Sequence, residues 1–175
     1  NKKEIKKILV IAAYKKNKGY LEILKIAEML LGHNIKIECY GYGNYYKYNS
    51  IKIKKNLSNI SFHNFDIYLS KKIKNFDILL HLSKREGLPV ALMESLIEGL
   101  PVICYNIRGN NDLIKNEING YFVKSYKEVP NIIYYLNLEV SLFNKMRKNA
   151  FKSINNDYSK KKIYLNIFNI IKKLF

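Results

Sequence analysis

The feature that most constrains this chain is the alternation of strand-sized apolar runs with segments of helical period. Residues 7–13 form a continuous apolar run suited to a strand buried on both faces, and a polar turn follows at 14–18. From Gly19 the period changes, with Leu21, Leu24, Ala27 and Leu31 on or beside one stripe, so 20–31 reads as an amphipathic helix stopped by Gly32. Further strands are expected at 35–40, 60–62, 78–82, 102–104 and 121–123. A lysine-rich helical segment is expected at 67–74 and a strongly patterned helix from Pro89 to about Glu98. The remaining helices fall at about 129–136, 138–154 and 159–173, while 42–56, rich in Lys, Asn and Tyr, has no assigned structure. At least five strands separated by helices imply a mostly parallel sheet, because parallel neighbours need crossover connections and these are right-handed. The expected fold is one doubly wound, Rossmann-like α/β domain. In such sheets ligands sit at the carboxyl ends of the strands, so the loops at 14–18, 41–48, 63–65, 83–89 and 107–111 should share one rim.

At 175 residues and 48% hydrophobic, the chain can bury one core of ordinary size. No stretch approaches ~20 uninterrupted apolar residues, so a membrane span is not expected, and the charged start lacks the pattern of a secretory signal. The domain is therefore read as cytoplasmic. Its 31 Lys and Arg against 14 Asp and Glu give a formal charge of +17, which suits nucleic acid, anionic lipid or phosphorylated ligands. The only arginines are Arg85, Arg108 and Arg147, and the wealth of Lys, Asn, Ile and Tyr is what an AT-rich genome imposes, which weakens that inference. Cys39 and Cys104 lie in apolar runs without metal-ligand spacing and read as reduced core thiols.

The segment 83–95 carries the chemistry. It is a strand exit, a glycine and a helix with Pro89 in its first turn, where a missing N–H costs nothing. The free N–H groups of Leu88, Val90 and Ala91, aided by the helix dipole, would make an anion site. Glu86 stands in the loop and Glu94 in the second turn of the helix, with seven residues between them. The two carboxylates are either acceptors for paired sugar hydroxyls or solvated acids at a helix start.

This run, Glu86-Gly87-Leu88-Pro89 with Glu94 behind it, then Gly99-Leu100-Pro101-Val102-Ile103 and Arg108-Gly109-Asn110-Asn111-Asp112, closely resembles the carboxyl-terminal domain of retaining glycosyltransferases of family 4, which have the two-domain GT-B architecture. Lys18-Gly19, Gly41-Tyr42-Gly43 and Asn119-Gly120-Tyr121-Phe122-Val123 resemble further family motifs in the same order. The resemblance implies transfer from a nucleotide-sugar of the UDP or GDP type, with retention, in bacterial surface polysaccharide or glycolipid synthesis. It makes Glu86 the catalytic contact to the donor sugar and Glu94 the acceptor for the ribose hydroxyls. Gly87, Leu88, Pro89 and Val90 then cradle the donor, and Lys18 with Gly19 meets the leaving diphosphate. Cations rather than a metal ion are implied to stabilise that diphosphate.

The family arginine five residues before Lys18 is Ala13 here, leaving Lys15, Lys16 or Arg85 to replace it, none of the lysines with the planar fork of Arg. Asn64 takes the place of a glycine near the implied base pocket, and Asn110 is a further candidate contact to phosphate or base. The resemblance also implies that a preceding domain, which supplies acceptor contacts, is missing. On that reading 1–7 is a linker remnant, 8–158 the nucleotide-sugar-binding domain, and 159–175 a helix packing toward the missing domain or lying on an anionic membrane at its inner face. The isolated domain is expected to be inactive. The alternative is a non-catalytic basic module for nucleic acid or anionic lipid, whose binding would fall steeply with salt. Nucleic acid is not the expected partner: the tyrosines of 40–48 read as a surface loop. His33, His63 and His81 read as loop or strand-edge residues, and Asp112 and Asp157 as helix caps.

Overall fold

A computed structural model describes residues 4–157, and side chains as far as residue 154. Six strands, β1 (Lys7–Ile11), β2 (Lys36–Gly41), β3 (Ile60–Asn64), β4 (Ile78–His81), β5 (Val102–Tyr105) and β6 (Gly120–Val123), form one sheet in the order β3-β2-β1-β4-β5-β6. Every pairing is parallel. The helices are α1 (Tyr20–Met29), α2 (Tyr46–Lys54), α3 (Leu69–Lys72), α4 (Val90–Ile97), α5 (Asn110–Leu113), α6 (Val129–Leu138) and α7 (Val140–Asp157). This is the expected Rossmann-like α/β fold, and its strand order reverses between β1 and β4, where such sheets open a crevice for ligand.

The two-sided burial anticipated for the strands follows their period of two. Ile8, Val10, Ile78 and Leu80 face one core with α1, Tyr48 of α2 and Ile133 of α6. Leu9, Leu79, Val102 and Cys104 face the other, with Leu92 and Leu96 of α4 and Leu113 of α5. Helix α7 serves both, through Phe143 and Met146 on one side and Ala150 and Ile154 on the other. Both cysteines are buried and free, and burial pushes Cys104 up to about 12 and raises Cys39 too, so neither is a nucleophile near neutrality.

Several local expectations differ from the structure. Helix α2 lies within the stretch left without assignment, and 67–74 is only α3 followed by a 3-10 turn at Ile73–Asn75. Pro89 is the N-cap of α4 and not a residue of its first turn. Asp112 lies within α5, whose N-cap is Gly109. The tyrosines of 40–48 are not a free stacking surface. Tyr45 and Tyr48 pack with Phe62 and Tyr14, and only Tyr42 and Tyr46 of the stretch stand exposed. The Tyr14 hydroxyl joins β2 to β3, lying 2.9 Å from the carbonyl of Cys39 and 2.6 Å from that of His63.

Residues 4–7 of the expected linker are tied into this domain. Ile5 is buried, with its N–H donating to Asn137 at 2.7 Å, and the amides of Lys6 and Lys7 both donate to buried Asp77 at 2.9 Å. The C-terminal helix expected at 159–175 and the side chain of Asp157 lie outside the described residues. Among those described, no helix is long and apolar enough to cross a membrane.

Candidate functional site

Three loops meet at the carboxyl edge of the sheet, beside the β1/β4 switch. Behind β1, a 3-10 turn at Lys16–Lys18 passes into α1 through Gly19, at φ +77°. A Cβ at Gly19 would strike the carbonyl of Leu82, so only glycine lets the exit of β4 lie against this turn. The contact is closed by the Lys84 amide donating to the Asn17 carbonyl at 2.9 Å. On the other side, Gly109 at φ +86° leaves room for the carbonyl of Gly87, which brings the β5 exit against the same loop. The result is a cavity of about 660 Å³ lined by Asn17, Lys84, Arg85, Glu86, Gly87, Ile107 and Arg108.

Glu86 is the organised acid of this cavity. Its Oε1 accepts from Lys18 Nζ at 2.6 Å and lies 2.9 Å from His81 Nε2. Burial pushes its pKa up, but the hydrogen bonds from His81, Lys18 and Ser83 outweigh this and hold it at about 2. An ionised carboxylate can only accept, so Nε2 carries the proton in this pair.

That depressed pKa has a consequence for stability. Because the folded value lies below the ordinary 4.5, the contribution of Glu86 is full above about 4.5 and is lost as the pH falls through about 2. Across this window the wild type should lose on the order of 2 kcal/mol more than Glu86→Gln, allowing for solvent screening at a partly exposed side chain. Urea unfolding at a series of acidic pH values measures this, and parallel losses in the two proteins would refute it.

The other sequence candidates are placed less uniformly. Arg85 lines the cavity, whereas Lys15 and Lys16 are exposed on the neighbouring turn. Leu88 and Val90 are exposed and Pro89 buried, and the N–H groups of Leu88, Val90 and Ala91 find no acceptor among the described residues. Glu94 is exposed on α4 and does not line the cavity. Asn64 ends β3, exposed and outside the left-handed backbone region. Asn110 is fully buried at the start of α5, its Nδ2 donating to the Tyr105 carbonyl at 2.9 Å while its Oδ1 has no hydrogen-bond partner among the described residues.

Sequence reasoning missed three residues here. His81, dismissed as a strand-edge histidine, is 4% exposed and bonded to Glu86, and its signal was being the one polar residue in the run 78–82. Arg108, one of three arginines in the chain, lines the cavity with Arg85. Asn17 carried no signal. Among the described residues, no group of three or more His, Cys, Asp or Glu is placed to hold a metal ion.

Comparison with known proteins gives the family and the fold. The family model described as glycosyl transferases group 1 matches residues 1–153. A UDP-Gal:alpha-D-GlcNAc-diphosphoundecaprenol alpha-1,3-galactosyltransferase of Escherichia coli is 33% identical over 136 residues, covering 73% of this chain and 31% of that protein. The chain thus spans about a third of the length of the curated relatives it first matches. Among solved structures, TarM of S. aureus in complex with UDP superposes with a TM-score of 0.85 at 24% identity, over 97% of this chain and 37% of that one. The C-terminal domain of the group 1 glycosyl transferase LpcC of Francisella tularensis gives 0.77 at 19% identity, over 90% of this chain and 88% of that one. The matched residues include all three loops of the cavity, and the chain belongs to the group 1 glycosyl transferases.

Proposed function

We propose that this chain is the donor-binding, carboxyl-terminal domain of a retaining, two-domain GT-B glycosyltransferase of family 4. The observation that carries the reading is Glu86, held ionised at the switch-point cavity by His81 and Lys18. A fixed carboxylate of this kind accepts hydrogen bonds from sugar hydroxyls, and the open amides at the start of α4 suit a diphosphate. In this reading Glu86 contacts the transferred hexose, Glu94 the ribose, and Gly87, Leu88, Pro89 and Val90 the donor along their backbone. Lys18 beside Gly19 neutralises the leaving diphosphate, with Arg85 the best placed substitute for the cation absent at Ala13.

The donor is a UDP- or GDP-sugar and the cations take the part that a metal ion plays elsewhere. The reading places the enzyme in the cytoplasm, assembling surface polysaccharide or glycolipid. Support for a preceding domain comes from the length of the relatives and from the close match in extent to the LpcC C-terminal domain. In this reading the preceding domain holds the acceptor, so residues 1–175 taken by themselves bind donor and do not transfer it.

A thermal-shift panel of UDP, GDP, ADP and CMP with their sugars tests the reading. Stabilisation grows with ligand concentration over Kd, reaching ~2.7 kcal/mol at about a hundredfold excess, so weak binders register at millimolar concentration. UDP or GDP and the matching sugar nucleotide should raise Tm above the other nucleotides. A panel in which none moves Tm would contradict it.

A further inference from the structure

We infer that His81 is the positioning residue of the cavity, the fixed donor that holds the Glu86 carboxylate while Lys18, the second donor on the same oxygen, is released to an anionic ligand. This rests on the donor-site reading above. Lys18 Nζ and His81 Nε2 converge on one oxygen, at 2.6 and 2.9 Å, but the two donors differ in freedom. His81 ends a strand paired on both sides, opposite Cys104 of β5, and its side chain is 4% exposed. Imidazole on such a strand has two torsions and little room to use them. Lys18 reaches the carboxylate from a 3-10 turn by a flexible four-carbon stem, and its side chain is 19% exposed.

A diphosphate entering the cavity competes with Glu86 for Lys18. Were Lys18 the sole donor, its departure would leave a half-buried carboxylate unpaired beside an arriving anion, which opposes binding of that anion. His81 lowers this penalty by keeping a charge-assisted hydrogen bond on Oε1 throughout. The other groups around Glu86 do not substitute for it. Lys84 is drawn to Glu22 of α1 at 3.2 Å, and Arg85 from the same loop and Arg108 from the β5 exit line the cavity without bonding Glu86. Ser83 adds a hydroxyl without charge.

Carboxyl 13C NMR of the 175-residue chain tests the inference, with the Glu86 resonance assigned by its loss in Glu86→Gln and followed from neutral pH toward acid unfolding, with and without UDP. His81→Leu should raise the Glu86 titration by roughly one to two pH units, and His81→Gln, whose amide nitrogen can reach as a donor, should recover most of that shift. UDP should leave the wild-type titration low and raise it further in His81→Leu, whose UDP affinity falls by about tenfold. Glu86 titrating in His81→Leu as in wild type, or leucine and glutamine variants equally impaired, would overturn the inference. The imidazole 15N spectrum of the wild type needs no variant and must show Nε2 protonated; a ring protonated only on Nδ1 overturns it as well. Should UDP fail to bind even the wild type, the donor-site reading falls, while the ligand-free titration still decides whether His81 holds Glu86.

Discussion

Gly19→Ala is expected to destabilise the chain by roughly 2–5 kcal/mol, because the left-handed backbone strains any L side chain and the new methyl overpacks the turn. The methyl would meet the carbonyl and Cβ of Leu82, and neither can retreat without moving the exit of β4. That exit carries Glu86, so the same substitution should separate Lys18 from Glu86 and raise the Glu86 pKa from its low value. Gly32→Ala is the matched comparison. Gly32 has a similar φ of +85°, but a Cβ there meets nothing within 4 Å, so it should cost only the backbone strain of about 1–2 kcal/mol. Equilibrium urea unfolding of both variants separates strain from collision. Equal losses would show that the close approach of the two loops is not built as described.

Lys18→Ala should weaken a nucleoside diphosphate by about tenfold to a hundredfold and leave the nucleoside nearly untouched, since only the diphosphate presents charge to the ammonium. Two contributions add in the same direction. The phosphate loses a charged donor, and Glu86 loses the cation that screens it from the incoming anion. Adding Glu86→Gln to Lys18→Ala distinguishes them: it removes the second contribution alone, so diphosphate binding should recover in part and not in full. Ala13→Arg should tighten the diphosphate by restoring a bidentate cation at the rim. Isothermal titration with uridine, guanosine and their diphosphates reads all four proteins. A lysine that merely begins a helix in solvent would change affinity by only tenths of a kcal/mol, equally for nucleoside and diphosphate.

What could be read from the sequence, and what could not, follows from where the specifying forces act. β4 and β5 were legible because parallel strands buried on both faces leave continuous apolar runs, as in Ile78-Leu79-Leu80 and Val102-Ile103-Cys104. Helix α2 was not, because its one buried side chain is Tyr48 and its position is set by packing on Tyr20 and Phe62, residues distant in sequence. Glu86 and Lys18 were legible through their motifs. The histidine between them was not, since a lone polar residue in an apolar strand declares burial only once its partner is known. That partner, Glu86, reaches back because Gly19 and Gly109 let three loops close on one another, a long-range contact with no local signature. Asn110 was legible only as a polar residue in a rim loop; that its Nδ2 braces the loop on the Tyr105 carbonyl depends on the folded turn and has no local signal.

Calorimetric titration of wild type, Glu86→Ala and Glu94→Ala with UDP, GDP and the matching sugar nucleotides tests the donor-site account most directly. The ribose belongs to the nucleotide itself, so Glu94→Ala should cost on the order of 1.5–3 kcal/mol with the bare nucleoside diphosphate and with the sugar nucleotide alike. Glu86→Ala should erase mainly the additional affinity that the sugar confers. Variants that bind both ligands as the wild type does would contradict the account.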